Sequence, residues 1–156
     1  MAQKKQNNDP VLATNKRAFH NYIVGDRYEA GIKLTGTEVK SCRARSVQLG
    51  EGYVKIENRQ AFLYNAHISV YGFGNRFNHE VKRARRLLLH KREIRKLHQQ
   101  LSTKGGTLIP LKMYLKTGLI KLEIAYCQGK THADQRETLR KREADMDMRR
   151  NLGKRG

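Results

Sequence analysis

The sequence lacks tryptophan and contains only two prolines and two cysteines. It also lacks any run close to the about 20 apolar residues that a membrane-spanning helix needs, and no apolar segment follows its polar first residues. These absences argue against a membrane-spanning or secreted protein, so we expect a cytoplasmic location. Cys42 and Cys127 lie 85 positions apart. A cysteine pair in a cytoplasmic protein is normally reduced, and no disulfide is expected.

The residue patterns of catalysis and metal binding are also missing. No Cys-x-x-Cys occurs, and zinc-site spacing is absent among the six histidines, His20, His67, His79, His90, His98 and His132. No Gly-x-x-x-x-Gly-Lys-Ser/Thr loop is present, and Gly72-Phe-Gly74 does not extend into a dinucleotide-binding fingerprint. We therefore expect no bound metal, no cofactor and no enzymatic activity.

Positive charge, in contrast, is present in large excess. The 156 residues include 33 lysines and arginines but only 14 acidic residues, which gives a formal net charge of +19. A surface with this charge repels itself unless a polyanion neutralises it. Nucleic acid is the first partner to consider, because each phosphate bound by a lysine or arginine releases a condensed counterion. A membrane surface is the competing polyanion, but the sequence offers no apolar anchor for it.

Composition divides the chain into three regions. These are a flexible N-terminal arm (1–14), a body of strands and helices (15–129) and a basic C-terminal tail (130–156). The arm has too little apolar surface to fold alone. In the tail, Leu139 and Met146 lie seven positions apart and can share one helix face. We expect a tail that is disordered when free and helical on an anionic partner, with permanent disorder as the alternative.

The strands of the body are indicated by alternating patterns and turn residues. Residues 28–34 alternate between apolar and polar side chains, the period of a half-buried strand. Pro110 has no amide donor, so its strand should be an edge strand or be bulged there. Two hairpins are predicted, residues 53–57 with 61–65, and residues 108–116 with 119–127 around a Thr117-Gly118 turn.

Helical patterns lie before and between these hairpins. Residues 80–101 are predicted to form one helix with Leu87, Ile94, Leu97, Leu101 and His90 on one face. Residues 15–22 are predicted to form a short helix, whereas residues 37–45 fit a helix or a strand. Together these elements predict a mainly β, α+β fold built on a small closed barrel of the oligonucleotide-binding type. An open α+β sheet is the alternative.

The segment 79–98 carries eight basic and only two acidic residues. Such one-sided charge favours phosphate contact over a merely solvated helix face, which usually mixes both signs. Unpaired bases also stack on aromatic rings. Candidates for stacking lie near predicted loops and element ends, although core packing is the alternative for each: Phe19, His20, Tyr22, Phe73 and Phe77.

Three longer segments carry a more specific signal. Residues 28–41, 83–94 and 106–114 resemble, in order, motifs of the SsrA-binding protein (small protein B, SmpB) family. The resemblance implies an oligonucleotide-binding-type barrel that binds the tRNA-like domain of transfer-messenger RNA (SsrA RNA). It further implies delivery of that RNA to stalled ribosomes in trans-translation, without catalysis. The partners implied are transfer-messenger RNA and the ribosome, including small-subunit RNA, and we expect a monomer when free.

The resemblance also assigns residues. It implies RNA contacts by Glu29, Leu88, Lys121 and His20. The basic and aromatic positions of the same segments add Tyr22, Lys40, Arg83, Arg85 and Arg86. A carboxylate on an RNA-binding surface runs against the net charge, but it can accept from base amino groups or orient a neighbouring cation.

In the resembling family the tail folds as a helix in the decoding centre and mRNA channel. The corresponding ribosome-binding candidates here are Lys130, Asp134, Arg136, Arg140, Lys141, Arg142, Arg149 and Arg150. Thr131 and Gln135 stand where the family motif has lysines. A general RNA-packaging or structural ribosomal protein is the alternative function. An RNA-modifying enzyme ranks behind it, because no cofactor loop or acid–base pair is present.

Overall fold

The computed structural model describes residues 10–72, 79–130 and 132–153. Four helices are present in these ranges: α1 (Lys16–Asn21), α2 (Gly36–Arg43), α3 (Lys91–Lys104) and α4 (His132–Gly153). The strands are β1 (Val11–Thr14), β2 (Tyr22–Ile32), β3 (Val47–Gln48), β4 (Tyr53–Glu57), β5 (Gln60–Tyr64), β6 (His67–Ile68), β7 (Arg85–Leu88), β8 (Thr107–Lys116) and β9 (Leu119–Gly129). The mixed α+β composition confirms the predicted class.

Six of the strands close on themselves. Antiparallel pairing runs in the order β8, β4, β5, β7, β2 and β9, and β9 pairs again with β8. The β4–β8 closure is narrow, with Val54 opposite Leu108. Strand β1 adds to the outside of the ring on β8, and β3 with β6 forms a separate two-stranded sheet. The pairing is that of a small barrel, as the sequence predicts.

The barrel interior holds the main core. Ala30, Leu63, Leu87, Leu122 and Ile124 are at most 2% exposed and alternate with outward-facing neighbours on four different strands. Such alternation buries one face of each strand. Each fully buried leucine or isoleucine contributes about 1.5–3 kcal/mol relative to an exposed one.

The second predicted hairpin is confirmed in detail. Strands β8 and β9 pair from Thr107 opposite Cys127 to Lys116 opposite Leu119, and they turn at Thr117 and Gly118, whose φ angles are 49° and 78°. The pairing register shifts between Pro110 and Lys112, which is the predicted bulge at proline. Strand β8 is not an edge strand, since it pairs with β9 on one side and with β1 and β4 on the other.

The prediction of one helix over residues 80–101 is wrong in its first half. Arg85 and Leu87 are buried while Arg86 and Leu88 are exposed, so the period there is two. Strand β7 pairs with β5 and β2, and only residues 91–104 are helical, with His90 as the N-cap residue. Sheet pairing with distant strands overrides the local helical spacing.

Other helix predictions fare better. Helix α1 confirms the short helix expected over residues 15–22, and Asn15 caps it. The ambiguous segment 37–45 is helical, because Thr35 and Glu38 form a capping box at the start of α2. Helix α3 ends before Gly105, whose φ is 68°.

Both cysteines, Cys42 and Cys127, are buried and free in the structure. Burial raises the pKa of the Cys42 thiol to about 12 and that of the Cys127 thiol to about 11. Among the described helices, none combines the length and apolarity that crossing a membrane takes. Helix α4 contacts α1, and disorder of the free tail stays a prediction.

Candidate nucleic-acid interface

The outer surface of strands β7, β2, β9 and β8 aligns several of the predicted site residues. Gly31 pairs with Leu88 on one side and with Lys121 on the other, and Lys121 pairs with Tyr114. Neighbouring strands lie about 4.8 Å apart, so this row spans about 14 Å. Glu29 lies two residues from Gly31 on the same side of β2. We call the outward residues Glu29, Leu88, Tyr114, Lys116 and Lys121 the strand face.

Gly31 lies at the centre of the strand face and leaves room there for the side chain of Leu88. A Cβ at this position would lie 3.2 Å from the Leu88 Cβ and 3.4 Å from its Cδ1. The first distance is tighter than ordinary van der Waals contact. Leu88 is nevertheless 48% exposed, so it presents an apolar surface above β2. Gly31 was not among the residues predicted from the sequence, although it belongs to the motif that carries the resemblance.

Glu29 is held as an oriented carboxylate. The Tyr114 hydroxyl donates to its Oε2, and the Lys116 ammonium lies 3.3 Å from both carboxylate oxygens. The Tyr114 hydrogen bond is the main cause that lowers the pKa of Glu29; burial opposes this shift, and Lys116 and Lys121 lower the pKa further. The side chain remains 39% exposed, so its free lone pairs can accept from a ligand.

A second carboxylate lies beside Glu29 and is paired with two cations. Glu123 is opposite Glu29 in the β2–β9 register and lies 3.3 Å from Arg27 and 3.7 Å from Lys112. The Lys112 ammonium is also 5.4 Å from the Tyr114 ring centroid. These residues line a cleft of about 250 Å³. The surface therefore carries a fixed pattern of both signs instead of uniform positive charge.

The position of Arg85 in the structure corrects the prediction that this residue contacts RNA. Its side chain is fully buried, and its Nε donates to Glu38 Oε2 at 2.5 Å. Its other donors bond to the Ala66 carbonyl at 2.8 Å and the Val81 carbonyl at 3.0 Å. No donor faces the surface, so Arg85 joins α2 to β7 and to the segment before it.

Arg83 shares the same buried carboxylate but remains accessible. Its Nη2 lies 2.5 Å from Glu38 Oε1, and its side chain is 37% exposed. Burial alone would raise the pKa of the Glu38 carboxyl, but the Thr35 amide and the Arg83 and Arg85 guanidiniums together hold it below its usual value. Glu38 therefore stays ionised and fixes both arginines.

Two further predicted cations are exposed, one on β7 near Leu88 and one on α2. Arg86 faces outward on β7 opposite Phe62 of β5. Lys40 is exposed on α2, with its ammonium 5.4 Å from the Tyr71 ring centroid. The structure therefore does not gather all predicted RNA-binding residues into one patch.

His20 and Tyr22 lie at the end of α1 and the start of β2, next to the first residue of the tail. Lys130 donates to the Phe19 carbonyl at 2.8 Å, and its amide donates to the Asn21 carbonyl at 3.0 Å. His20 Nδ1 is buried with no hydrogen-bond partner among the described residues. Arg27 connects this corner to the strand face, because its guanidinium lies 5.6 Å from the Phe19 ring centroid and bonds to Glu123.

Apart from Lys130, which precedes it, the tail candidates lie along α4. The cationic ones are exposed, namely Arg136, Arg140, Lys141, Arg142, Arg149 and Arg150. Leu139 and Met146 are 46% and 58% exposed, so α4 carries apolar side chains that the body does not cover. The side chains of Asp134 and Gln135 and the residues Phe73, Phe77 and Thr131 fall outside the described part of the chain.

Comparison with known proteins gives a consistent assignment. The SmpB protein family matches residues 12–154. The SsrA-binding protein of Lactobacillus delbrueckii subsp. bulgaricus is 53% identical over 148 residues, covering 95% of this chain and 97% of that protein. The SsrA-binding protein of Caldicellulosiruptor bescii is 48% identical over 153 residues, with 97% of each chain covered.

A solved structure extends the likeness to the fold. It is described as "tmRNA-SmpB: a journey to the center of the bacterial ribosome" and matches with a TM-score of 0.66 and 40% sequence identity, covering 84% of this chain and 95% of that one. Because the family match spans most of the chain and the relatives are about half identical over nearly their full length, this protein belongs to the SmpB family.

Proposed function

We propose that this protein binds the tRNA-like domain of transfer-messenger RNA and delivers it to stalled ribosomes for trans-translation, acting by binding and not by catalysis. The observation that carries the proposal is Glu29, an ionised carboxylate fixed by Tyr114 and Lys116 in the middle of the strand face. A binder driven only by charge gains nothing from an anion at that position. The printed names of the relatives, SsrA-binding protein, support the same partner.

Four residues of the strand face then have a role in recognising folded RNA, and the fifth, the largely buried Tyr114, fixes Glu29. Glu29 accepts a hydrogen bond from a 2′-hydroxyl or a base amino group, which a phosphate-directed cation cannot do. Lys116 and Lys121 neutralise phosphates beside it. Leu88 packs on a ribose or an unstacked base, and Gly31 lets that side chain lie close over β2.

The C-terminal region 130–156 is the ribosome-binding part of this proposal, whereas residues 15–129 hold the RNA. The prediction of a flexible arm over residues 1–14 is wrong for residues 11–14, because they form β1 and pair with β8, and residues 1–9 lie outside the described part of the chain. The exposed cations of α4 suit ribosomal RNA in the decoding centre and mRNA channel. Leu139 and Met146, which the body leaves exposed, supply apolar contacts once the helix is bound. We place the protein in the cytoplasm as a monomer before it meets RNA.

The two parts can be separated by deleting residues 131–156. We expect the shortened protein to bind the tRNA-like RNA within about two-fold of the full chain, because the deletion leaves the strand face intact. It should fail to support tagging of a nascent peptide on a message without a stop codon in a reconstituted translation system. A large loss of RNA affinity would place the tail in the primary RNA site and contradict this division.

A further inference from the structure

A second groove lies at one end of the barrel, between the β4–β5 turn and α3. Its volume is about 660 Å³. Ile56 and Ile94 contribute apolar surface to its lining. The lining also includes the charged or polar side chains of Arg59, Lys91, Arg95 and His98. We call this the turn–helix groove. No acidic side chain of the described chain lines it.

The cationic side chains of the turn–helix groove have no acidic partner within the described part of the chain. Elsewhere in the described ranges, several acidic residues are paired with cations, as Glu123 is with Arg27 and Lys112. In contrast, the side chains of Arg59, Lys91 and Arg95 make no ion pair or hydrogen bond with any described residue. An anionic ligand bound in the groove would neutralise these three neighbouring charges.

The groove is fixed by its backbone. Asn58 and Arg59 have φ angles of 48° and 62°, which set a tight turn between β4 and β5. Lys91, Ile94, Arg95 and His98 follow the i, i+3, i+4, i+7 spacing of one helix face. The cations are therefore presented from two rigid elements on either side of an apolar floor.

The groove adjoins the strand face. Ala61 pairs with Leu87, so Arg59 and Leu88 leave the sheet at the same end of β5 and β7. Lys91 follows Leu88 by three residues, a separation of at most about 10 Å along the chain. Sugar-phosphate backbone presents anions at regular intervals and ribose between them, which suits cations above apolar side chains.

We propose that the turn–helix groove binds the phosphate backbone of the same RNA that the strand face recognises, where that RNA continues past Leu88. This inference rests on the proposed function. It extends the RNA-binding site by a basic surface that contacts phosphates and does not distinguish between bases. The groove raises affinity, whereas the strand face sets specificity.

A matched pair of variants on one helix tests the proposal. Lys91→Ala/Arg95→Ala removes two charges from the groove, and Arg92→Ala/Lys104→Ala removes two exposed charges from other sides of α3. We would measure affinity for the tRNA-like RNA between 0.1 and 1 M salt, with circular dichroism to verify folding. The groove variant should bind on the order of 30-fold more weakly at 0.1 M salt, and its salt slope should fall by about 1.5–2.

The control variant should stay within about three-fold of wild type with an unchanged slope. Equal losses in both variants would mean that only net charge matters, which overturns the proposal. An unchanged groove variant, or one that loses only ribosome binding, overturns it too and leaves the proposed function intact. Failure of the proposed function is distinguishable, because wild type itself would then not prefer the tRNA-like RNA over a plain duplex.

Discussion

Tyr114 is predicted to prepare Glu29 for RNA binding, and Tyr114→Phe isolates that role. The substitution keeps the ring beneath the Lys112 ammonium and removes only the hydroxyl that donates to Glu29. Without this donor the carboxylate samples several rotamers, and RNA binding must order it at a cost of about 0.5–1.5 kcal/mol. A central value of about 1 kcal/mol corresponds to an about five-fold weaker affinity for the tRNA-like RNA.

Filter binding or fluorescence anisotropy at fixed salt measures this effect, and a mutant cycle assigns it. Glu29→Ala should weaken binding by at least as much as Tyr114→Phe, and adding Tyr114→Phe to Glu29→Ala should cost little more, because Tyr114 acts through Glu29. Additive losses would refute a shared role. Tighter binding of Glu29→Ala would refute it as well, since removing an anion strengthens a binder driven by charge alone.

Two further substitutions test other parts of the account. Gly31→Ala should push Leu88 away and weaken RNA binding by about five-fold. The control is Gly36→Ala, whose added Cβ meets nothing within 4 Å and which should leave RNA binding unchanged. Equal RNA affinities of the two alanine variants would contradict the role of the close contact between Gly31 and Leu88. Glu38→Gln should lower the free energy of unfolding at pH 7 by about 3 kcal/mol, since it leaves buried Arg85 without a counter-charge. The pKa of Glu38 is lowered in the folded protein, so its contribution is present above its ordinary pKa of 4.5 and is lost as the pH falls through the folded value. Urea unfolding should therefore show the difference between Glu38→Gln and wild type shrinking below about pH 4.5, and a difference independent of pH would contradict the ion pair.

The parts of the fold that could be predicted from sequence are those fixed by neighbouring residues. The Thr117-Gly118 turn and the alternation around it predict the β8–β9 hairpin, and the bulge follows from Pro110. Strand β7 was missed because its four residues lie next to a true helix, and the apolar residues Leu87, Ile94, Leu97 and Leu101 match a helical period by spacing alone. Only pairing with β5 and β2 reveals it as a strand.

The candidate site also combines features that the sequence predicts with contacts between residues far apart in the chain. The resemblance identified Glu29, Leu88 and Lys121, and the register of β7, β2 and β9 brings them onto one surface. The contact between Tyr114 and Glu29 joins residues 85 positions apart, so no local pattern predicts it. Arg85 looked like its exposed neighbours in sequence, and its burial depends on Glu38, 47 positions away.

The most direct test of the central claim compares two RNA ligands across a salt series. One is the tRNA-like part of transfer-messenger RNA, and the other is a plain RNA duplex of equal length. We predict a strong preference for the tRNA-like RNA that persists at high salt, because Glu29 and Leu88 recognise RNA shape in addition to charge. Equal affinities that fall together as salt rises would contradict the account and identify a general, charge-driven RNA binder.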